Sequence, residues 1–100
     1  MTGSGPASLV REMGYTTAEF AATVGRVFAA WQVLAEAADT WRIQAHDLEV
    51  RLRVAPQPPR RLGALVLPVL RLQIDFLRAD AAARERFLTR FERGFHKGGG

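Results

Sequence analysis

Residues 41–54 read WRIQAHDLEVRLRV, and apolar and polar side chains alternate along both halves of this segment. A period of two is typical of a strand that buries one face and exposes the other. A two-residue turn at His46-Asp47 would place the two halves side by side as a hairpin. Its cross-strand pairs would be Ala45 with Leu48, Ile43 with Val50 and Trp41 with Leu52. The segment therefore predicts a β-hairpin with one apolar face.

The same residues also fit a helical pattern, which keeps a second interpretation open for residues 38–54. Apolar residues from Phe20 to Leu52 recur at alternate spacings of four and three, as in the heptad seam of one long helix. Helices beyond about 25 residues are uncommon in small domains, and the β-branched Ile43 and Val50 fall off this seam. We therefore expect the hairpin, with a long helical hairpin as the alternative.

A helix is predicted on each side of this segment. Thr16 and Glu19 have the spacing of a capping box, so the first helix should run from Thr17 to the mid-thirties. Asp80 is a good N-cap for the second helix. The apolar stripes of the two helices contain Phe20, Val24, Val27, Phe28 and Trp31 in the first, and Phe87, Leu88, Phe91 and Phe95 in the second.

A third strand is predicted between the hairpin and the last helix. Residues 56–59 contain three prolines and should form a rigid extended connection. Apolar residues of one parity then run from Leu62 to Phe76, with a bend or bulge at Pro68, where proline favours a sheet edge. The predicted fold class is α+β in the order α-β-β-β-α: a helix, a three-stranded antiparallel sheet and a helix, with both helices on one sheet face.

The predicted organisation is a single domain at residues 16–97. Residues 1–15 are rich in glycine and are expected to form a flexible N-terminal arm, while residues 98–100 form a flexible glycine tail. The order helix, three strands, helix resembles that of double-stranded-RNA-binding domains. The resemblance is in topology alone, because the lysine-rich start that those domains have in their second helix reads Asp80-Ala81-Ala82-Ala83 here.

Composition argues against most catalytic chemistry. The chain has no cysteine, and its only histidines, His46 and His96, lie 50 positions apart. No nucleophile elbow, phosphate-binding loop or metal-ligand spacing occurs. We therefore expect no catalytic residues, no metal, no cofactor and no small-molecule substrate. No apolar run is long enough for a signal peptide or a membrane span, so a cytoplasmic protein that does not contact membranes is expected.

Charge provides the best functional signal. Residues 1–50 hold three arginines and six acids, whereas residues 51–100 hold eleven basic residues and four acids. This asymmetry indicates an acidic partner. The candidate anion or nucleic-acid contacts are Arg51, Arg53, Arg60, Arg61, Arg86, Arg90, Arg93 and Lys97. The leading prediction is a non-enzymatic module acting through protein contacts, with a protein partner or a homodimer; the alternative is RNA or DNA binding.

Overall fold

Five strands and two helices are present in the part of the chain that the computed structural model describes, residues 8–95. In chain order they are β1 Ser8–Met13, α1 Thr17–Val27, β2 Gln32–Ala37, β3 Thr40–Ala45, β4 Leu48–Leu62, β5 Leu65–Arg78 and α2 Ala81–Gly94. The strands form one antiparallel sheet in the order β1-β5-β4-β3-β2. The coarse class, α+β, is therefore confirmed.

The predicted hairpin is confirmed down to its register. β3 and β4 pair Ala45 with Leu48, Ile43 with Val50 and Trp41 with Leu52, with the turn at His46-Asp47. The long helical hairpin is therefore ruled out. Alternation located this hairpin because one of its faces is buried: Ile43, Val50 and Leu52 are all 0% exposed.

The three-stranded sheet was wrong, because the sheet also contains β1 and β2. β1 lies within the predicted flexible arm, where it pairs along the β5 edge from Ser8↔Asp75 to Met13↔Leu70. β2 occupies residues expected to finish the first helix, which instead ends at Val27. Its alanine-rich sequence suits a helix, but pairing with β3 overrides that weak preference. The first described element is thus a strand, unlike the order that suggested double-stranded-RNA-binding domains.

Both helices cover the same face of the sheet, which is called the inner face below. Thr16 and Glu19 form the predicted capping box of α1, and the Asp80 side chain accepts a hydrogen bond from the N–H of Ala83 in α2. Aromatic contacts join the helices to the strands and to each other. The ring pairs are Phe20 with Trp41, Phe76 with Phe87 and Phe28 with Phe87, at centroid distances of 5.1, 5.6 and 4.9 Å.

The two helices also meet at their C-terminal ends. The Nε of Arg90 in α2 donates a hydrogen bond of 2.8 Å to the carbonyl oxygen of Val27, the last residue of α1. Gly94 lies so close to Val27 that a Cβ placed on it would lie 2.9 Å from the Cβ of Val27. This glycine is therefore required by packing, not by backbone conformation.

β4 and β5 extend beyond their neighbours as a two-stranded ribbon, residues 55–69, which we call the distal ribbon. β3 pairing ends at Arg53 and β1 pairing ends at Leu70. A 15-residue strand such as β4 spans about 50 Å, in agreement with the longest molecular dimension of 48 Å. The predicted proline connection at residues 56–59 was therefore wrong, because these residues belong to β4.

A glycine turn closes the distal ribbon. Leu62 pairs with Leu65 across Gly63-Ala64, and Gly63 has a φ of 61°. A glycine in this position is typical of two-residue hairpin turns. The predicted third strand accordingly starts at Leu65 and not at Leu62. Of the terminal segments assigned from the sequence, residues 1–7 and the tail at 98–100 lie outside the described residues.

Candidate functional site

Three predicted cations line one open groove along α2. Arg86, Arg90 and Arg93 follow helical spacing and share the groove with the half-buried ring of Trp31. The groove has a volume of about 570 Å³, and Glu85 contributes the only carboxylate among its lining residues. The spacing of the arginines in the sequence thus correctly placed them on one helix face.

Two of these arginines already bind other parts of the protein. The Nη2 of Arg86 donates hydrogen bonds of 2.6 and 2.7 Å to the two carboxylate oxygens of Asp47, and this contact lowers the pKa of Asp47. Arg90 binds the end of α1, as described above. Arg93 makes no ion pair within residues 8–95, and Lys97 lies outside the described residues. The groove is therefore basic, but much of its charge has a structural role.

The predicted cations of β4 lie elsewhere, on the face of the sheet that is opposite the helices. We call this the outer face. The side chain of Arg51 lies 3.8 Å from the carboxylate of Glu36, which also pairs with Arg42. Hydrogen bonding between Arg42 and Glu49 raises the pKa of Arg42 and lowers the pKa of Glu49. Alternating cations and acids therefore leave little net positive charge on this part of the outer face.

Arg53 belongs to a second cluster on the outer face. Its Nη2 lies 3.2 Å from Oδ2 of Asp75, whose carboxylate also accepts hydrogen bonds from Ser8 and Gln73. Burial raises the pKa of Asp75, but the three hydrogen bonds together outweigh this and lower it overall. Since Ser8 belongs to β1, the cluster joins β1 to the centre of the sheet.

The last two predicted cations, Arg60 and Arg61, lie on the distal ribbon. Arg60 is 3.7 Å from the carboxylate of Glu12 in β1, and both side chains are 62% exposed. Arg61 makes no ion pair among residues 8–95. The structure therefore distributes the predicted cations over three regions: the α2 groove, the outer face and the distal ribbon.

The distal ribbon exposes four large apolar side chains near its tip. Leu62, Leu65, Val66 and Leu67 are 54%, 62%, 52% and 39% exposed. The ladder pairs Leu62 with Leu65, and Arg60 with Leu67. Because paired residues share a face, the ladder continues the outer face through Leu67, Leu65 and Leu62. The outer face is thus charged near the middle of the sheet and apolar at the tip of the ribbon.

Prolines occupy the two free edges of the distal ribbon. The ladder passes from Gln57↔Val69 to Arg60↔Leu67, so β4 contains an extra residue opposite Pro68. Along β5, backbone nitrogens point alternately toward β4 and away from it, starting toward β4 at the closing pair Leu62↔Leu65. The nitrogen of Pro68, three residues after Leu65, therefore points away from β4. The N–H of Val54 donates to the carbonyl of Asp39, on the β3 side of β4. The nitrogen of Pro56, two residues later, faces the same side, which is a free edge at that point. Pro68 therefore lies at an edge, as predicted.

A small notch lies at the base of the ribbon, next to the end of β1. It has a volume of about 250 Å³ and brings residues of β1 together with residues of β4 and β5. The lining residues are Glu12, Met13, Gly14, Arg60, Leu67, Pro68 and Val69. Its wall is apolar, and its rim carries one acid and one arginine.

Sequence reasoning did not identify the distal ribbon as a surface. Apolar residues of one parity from Leu62 to Leu70 were assigned to the apolar face of the third strand, because alternation looks the same in a buried strand and in an exposed ribbon. The sequence feature that could have revealed the ribbon is the proline-rich segment at 56–59 together with Pro68. These prolines mark positions where no neighbouring strand pairs.

Residues 8–95 were searched for metal-ligand groups and for membrane-spanning helices. No group of three or more histidine, cysteine or acidic side chains could hold a metal ion there. Neither described helix is long and apolar enough to cross a bilayer. His46 lies in the β3–β4 turn, and His96 is outside the described residues.

Comparison with family models, curated proteins and solved structures found no match. Any functional argument therefore depends on the chain itself.

Proposed function

We propose that the chain is a cytoplasmic, non-enzymatic binding module that acts through protein contacts, with the distal ribbon as its docking element. The observation that carries the proposal is the exposure of four large apolar side chains on a projecting ribbon. Their exposed fractions range from 39% to 62%, while the leucines of the same strands beneath the helices are 0% exposed. Contiguous exposed apolar surface marks interaction sites in proteins.

Stability alone does not account for this ribbon. A two-stranded hairpin without further packing is marginal in water, because it buries little apolar area. The closing turn and the β4–β5 ladder keep the ribbon extended, yet its leucines remain 39% to 62% exposed. Covering them with a second protein would remove apolar area from water, at about 25 cal/mol for each Å².

The prolines indicate how such a partner would bind. Pro56 and Pro68 remove donors from the two free edges, so the addition of another strand to the ribbon is disfavoured. The side-chain faces remain accessible. A partner would therefore pack against a face of the ribbon, with Arg61 available to pair with an acid on the partner.

Site-specific photo-crosslinking in the source cells tests this proposal. A photoreactive amino acid at position 65 should give a discrete protein adduct, because Leu65 lies at the centre of the proposed contact. The same amino acid at position 34 is the control, since Leu34 is 40% exposed but lies on β2, away from the ribbon. Equal adducts at the two positions, or none at position 65, would contradict the proposal.

Nucleic-acid binding is the second candidate, and the α2 groove favours it. Arg86, Arg90 and Arg93 line this groove beside an aromatic ring, a combination suited to phosphates and bases. Fluorescence anisotropy against labelled RNA and DNA over a salt series tests it. Binding should weaken as salt rises, and Arg93→Ala should lower the log–log slope by about one. Absence of binding at low salt would remove this candidate.

A further inference from the structure

The free edges of the sheet within residues 8–95 differ in how well they can accept another strand. On the distal ribbon, the nitrogens of Pro56 and Pro68 face the two free edges and supply no donor. The β2 edge is interrupted by a register shift between Ala35 and Ala37, and a bulge of this kind disturbs further pairing. The strand β1 contains no proline, and its register against β5 is regular throughout. The β1 edge therefore lacks the features that hinder pairing at the others.

The backbone groups on the free edge of β1 follow from the ladder. The nitrogen of Pro68 points away from β4, so the nitrogens of Leu70 and Leu72 on the same strand point toward β1. The residues opposite them, Met13 and Arg11, therefore use their own backbone groups on β5. The alternate residues of β1 direct their N–H and C=O groups to the free edge, and these residues are Ser8, Val10 and Glu12.

We propose that a second copy of this chain pairs with this edge, β1 against β1 in opposite directions, about a two-fold axis at Val10. Val10 then pairs with Val10 of the second copy, and Ser8 pairs with Glu12. Each of these pairs exchanges two backbone hydrogen bonds, so the outward groups of both strands are satisfied together. The two sheets become one continuous antiparallel sheet. The inference goes beyond the proposed function, because it concerns a different surface and partner.

Charge selects this register over its neighbours. A two-fold axis at Arg11 would place two guanidinium groups opposite each other, and an axis at Glu12 would oppose two carboxylates. An axis at Leu9 would place Glu12 opposite Pro6, which has no N–H to donate. With the axis at Val10, each charged residue of β1 faces an uncharged residue of the second copy.

The outer face of the proposed contact has an apolar centre. Val10 lies on this face, because it pairs with Gln73, and its side chain is 47% exposed. The two copies of Val10 would lie side by side at the axis, with their Cα atoms about 5.5 Å apart. Pairing would thus remove exposed apolar area from water at the point where the two chains meet.

The inner face of the contact has complementary charge. Arg11 lies on this face and is 3.7 Å from Glu92 in α2 of its own chain. In the dimer it would also lie next to Leu9 of the second copy, which lines an open groove of about 290 Å³ together with Leu88 and Glu85. The aliphatic stem of the arginine can cover the apolar wall while its guanidinium group pairs with Glu85. An arginine that would otherwise hinder pairing therefore has carboxylates on both subunits.

The short length of the paired segment predicts a weak dimer. The segment from Ser8 to Glu12 is about 17 Å long. The contact should therefore be smaller than the usual share of about 800 Å² for each partner of a stable complex. We expect a dissociation constant of about 10–100 µM.

Sedimentation equilibrium of the pure protein tests the inference. The wild type should show a monomer–dimer equilibrium between about 5 µM and 1 mM. Val10→Pro should lower the association constant at least about tenfold, because it removes an outward N–H from each strand and leaves the β1–β5 hydrogen bonds intact.

Ala35→Pro is the matched control. The nitrogen of Ala35 faces the free edge of β2, by the same alternation counted from the β3–β4 turn. This variant should dimerise like the wild type, and circular dichroism should show that both variants are folded. A wild type that stays monomeric at about 1 mM, or an equal loss of association in both variants, would overturn the inference.

Amide hydrogen exchange followed by NMR gives a readout that needs no substitution. The amides of Val10 and Glu12 should exchange about fourfold more slowly at 1 mM than at 20 µM protein, because they are paired only in the dimer. The amide of Ala35 should exchange at the same rate at both concentrations. Rates at Val10 and Glu12 that do not change with concentration would overturn the inference.

Disulfide formation tests the register. The chain has no cysteine, so Val10→Cys introduces one thiol in each copy, at a Cα separation that suits a disulfide across the axis. Mild oxidation should therefore link two copies. Glu12→Cys is the control, because its two thiols would be about 14 Å apart along the strands. Equally fast linkage of the two variants would overturn the proposed register.

A photoreactive amino acid at position 10 distinguishes a second copy from a strand of another protein. In the source cells it should give an adduct of twice the mass of the chain. An adduct with a different protein, together with a monomeric pure protein, would overturn the second copy in favour of a foreign strand. The adduct expected from position 65 tests the distal ribbon separately, so the two proposals can fail independently.

Discussion

β4 and β5 each pass through two environments, and the contrast between their two halves dominates the structure. Over residues 48–54 and 70–76 both strands have paired neighbours and lie beneath two helices, and Leu52, Leu72 and Ile74 are 0% exposed. Over residues 55–69 the same strands have only each other. Leu65 and Leu67 are then 62% and 39% exposed, although they belong to the same continuous strand as Leu72.

Within one hairpin, the half beneath the helices stabilises the fold and the exposed half is the proposed recognition surface. Leucines under the helices hold the fold together, whereas the leucines of the distal ribbon are 39% to 62% exposed and contribute less to it. The two sets look alike in sequence, and only their neighbours differ. The contrast therefore predicts opposite sensitivities to the same chemical change.

The largest expected effect is the loss of a leucine beneath the helices. Leu72→Ala should lower the free energy of unfolding by about 2–5 kcal/mol, because it leaves a cavity in the core. Leu67→Ala, five residues away on the same strand, should lower it by less than about 0.5 kcal/mol. Urea unfolding of both variants measures the difference. Similar losses would show that the ribbon is packed as part of the core.

The next effect comes from adding one methyl group where the helices touch. Gly94→Ala should destabilise the protein by about 1–3 kcal/mol, because the new Cβ overlaps Val27. In the double variant Val27→Ala/Gly94→Ala the overlap with the two Cγ atoms of Val27 is removed and only the Cβ–Cβ approach remains, so the combined loss should be less than the sum of the single losses. Thermal unfolding of all three variants gives the coupling. Additive losses would mean that the two helix ends do not touch in solution.

Substitution of the control glycine in α1 by alanine should raise the free energy of unfolding, whereas Gly94→Ala lowers it. Gly25 is exposed, and a Cβ placed on it would have no atom within 4 Å. Gly25→Ala should therefore raise the free energy of unfolding by about 0.5–1 kcal/mol, through helix propensity alone. Urea unfolding detects a shift of this size. A loss of stability would show that α1 contacts another surface at this position.

The smallest expected effect is on the free energy of unfolding at low pH. Residues 55–69 contain no carboxylate, so acid sensitivity should come from the rest of the sheet, including Asp75. The folded pKa of Asp75 is lowered, so its contribution to stability is present above its unfolded pKa, near 3.9, and is lost as pH falls through its folded pKa. Asp75→Asn should therefore reduce the acid-induced loss of stability by about 1 kcal/mol or less.

Urea unfolding between pH 7 and pH 3 measures this dependence. Leu67→Ala is the matched control, since a ribbon variant should retain the pH dependence of the wild type. An unchanged dependence in Asp75→Asn would indicate that the cluster of Ser8, Gln73 and Arg53 does not form in solution.

Local signals predicted part of this fold well. The β3–β4 register followed from alternation, and the starts of both helices followed from Thr16 and Asp80. β2 was missed because Gln32–Ala37 has helical propensity, and its strand form depends on pairing with β3. β1 was missed because a six-residue terminal strand is defined by the free edge of β5, which is far away in sequence.

The candidate site was predicted less completely, for a similar reason. Helical spacing correctly gathered Arg86, Arg90 and Arg93 on one face. Their partners, Asp47 and the carbonyl of Val27, lie 39 and 63 positions away, so the sequence could not reveal that two of the three are engaged. The ribbon was not predicted, because the sequence does not distinguish a proline at the free edge of a strand from a proline in a connecting loop. The distinction requires knowledge of the neighbouring strands.

The position of β1 has a consequence for how the chain folds. β1 must pair with β5, with Ser8 opposite Asp75 across 67 residues, so the sheet cannot be completed until residue 75 has been made. The local hairpin β3–β4 can form early, because α1, whose Phe20 packs on Trp41, precedes it in the chain. Such non-local closure is slow, typically milliseconds to seconds. Synthesis at about 5–20 residues per second also takes seconds, so we expect β1 to remain unpaired, with its partner strand not yet made, for most of the time that the chain is being synthesised.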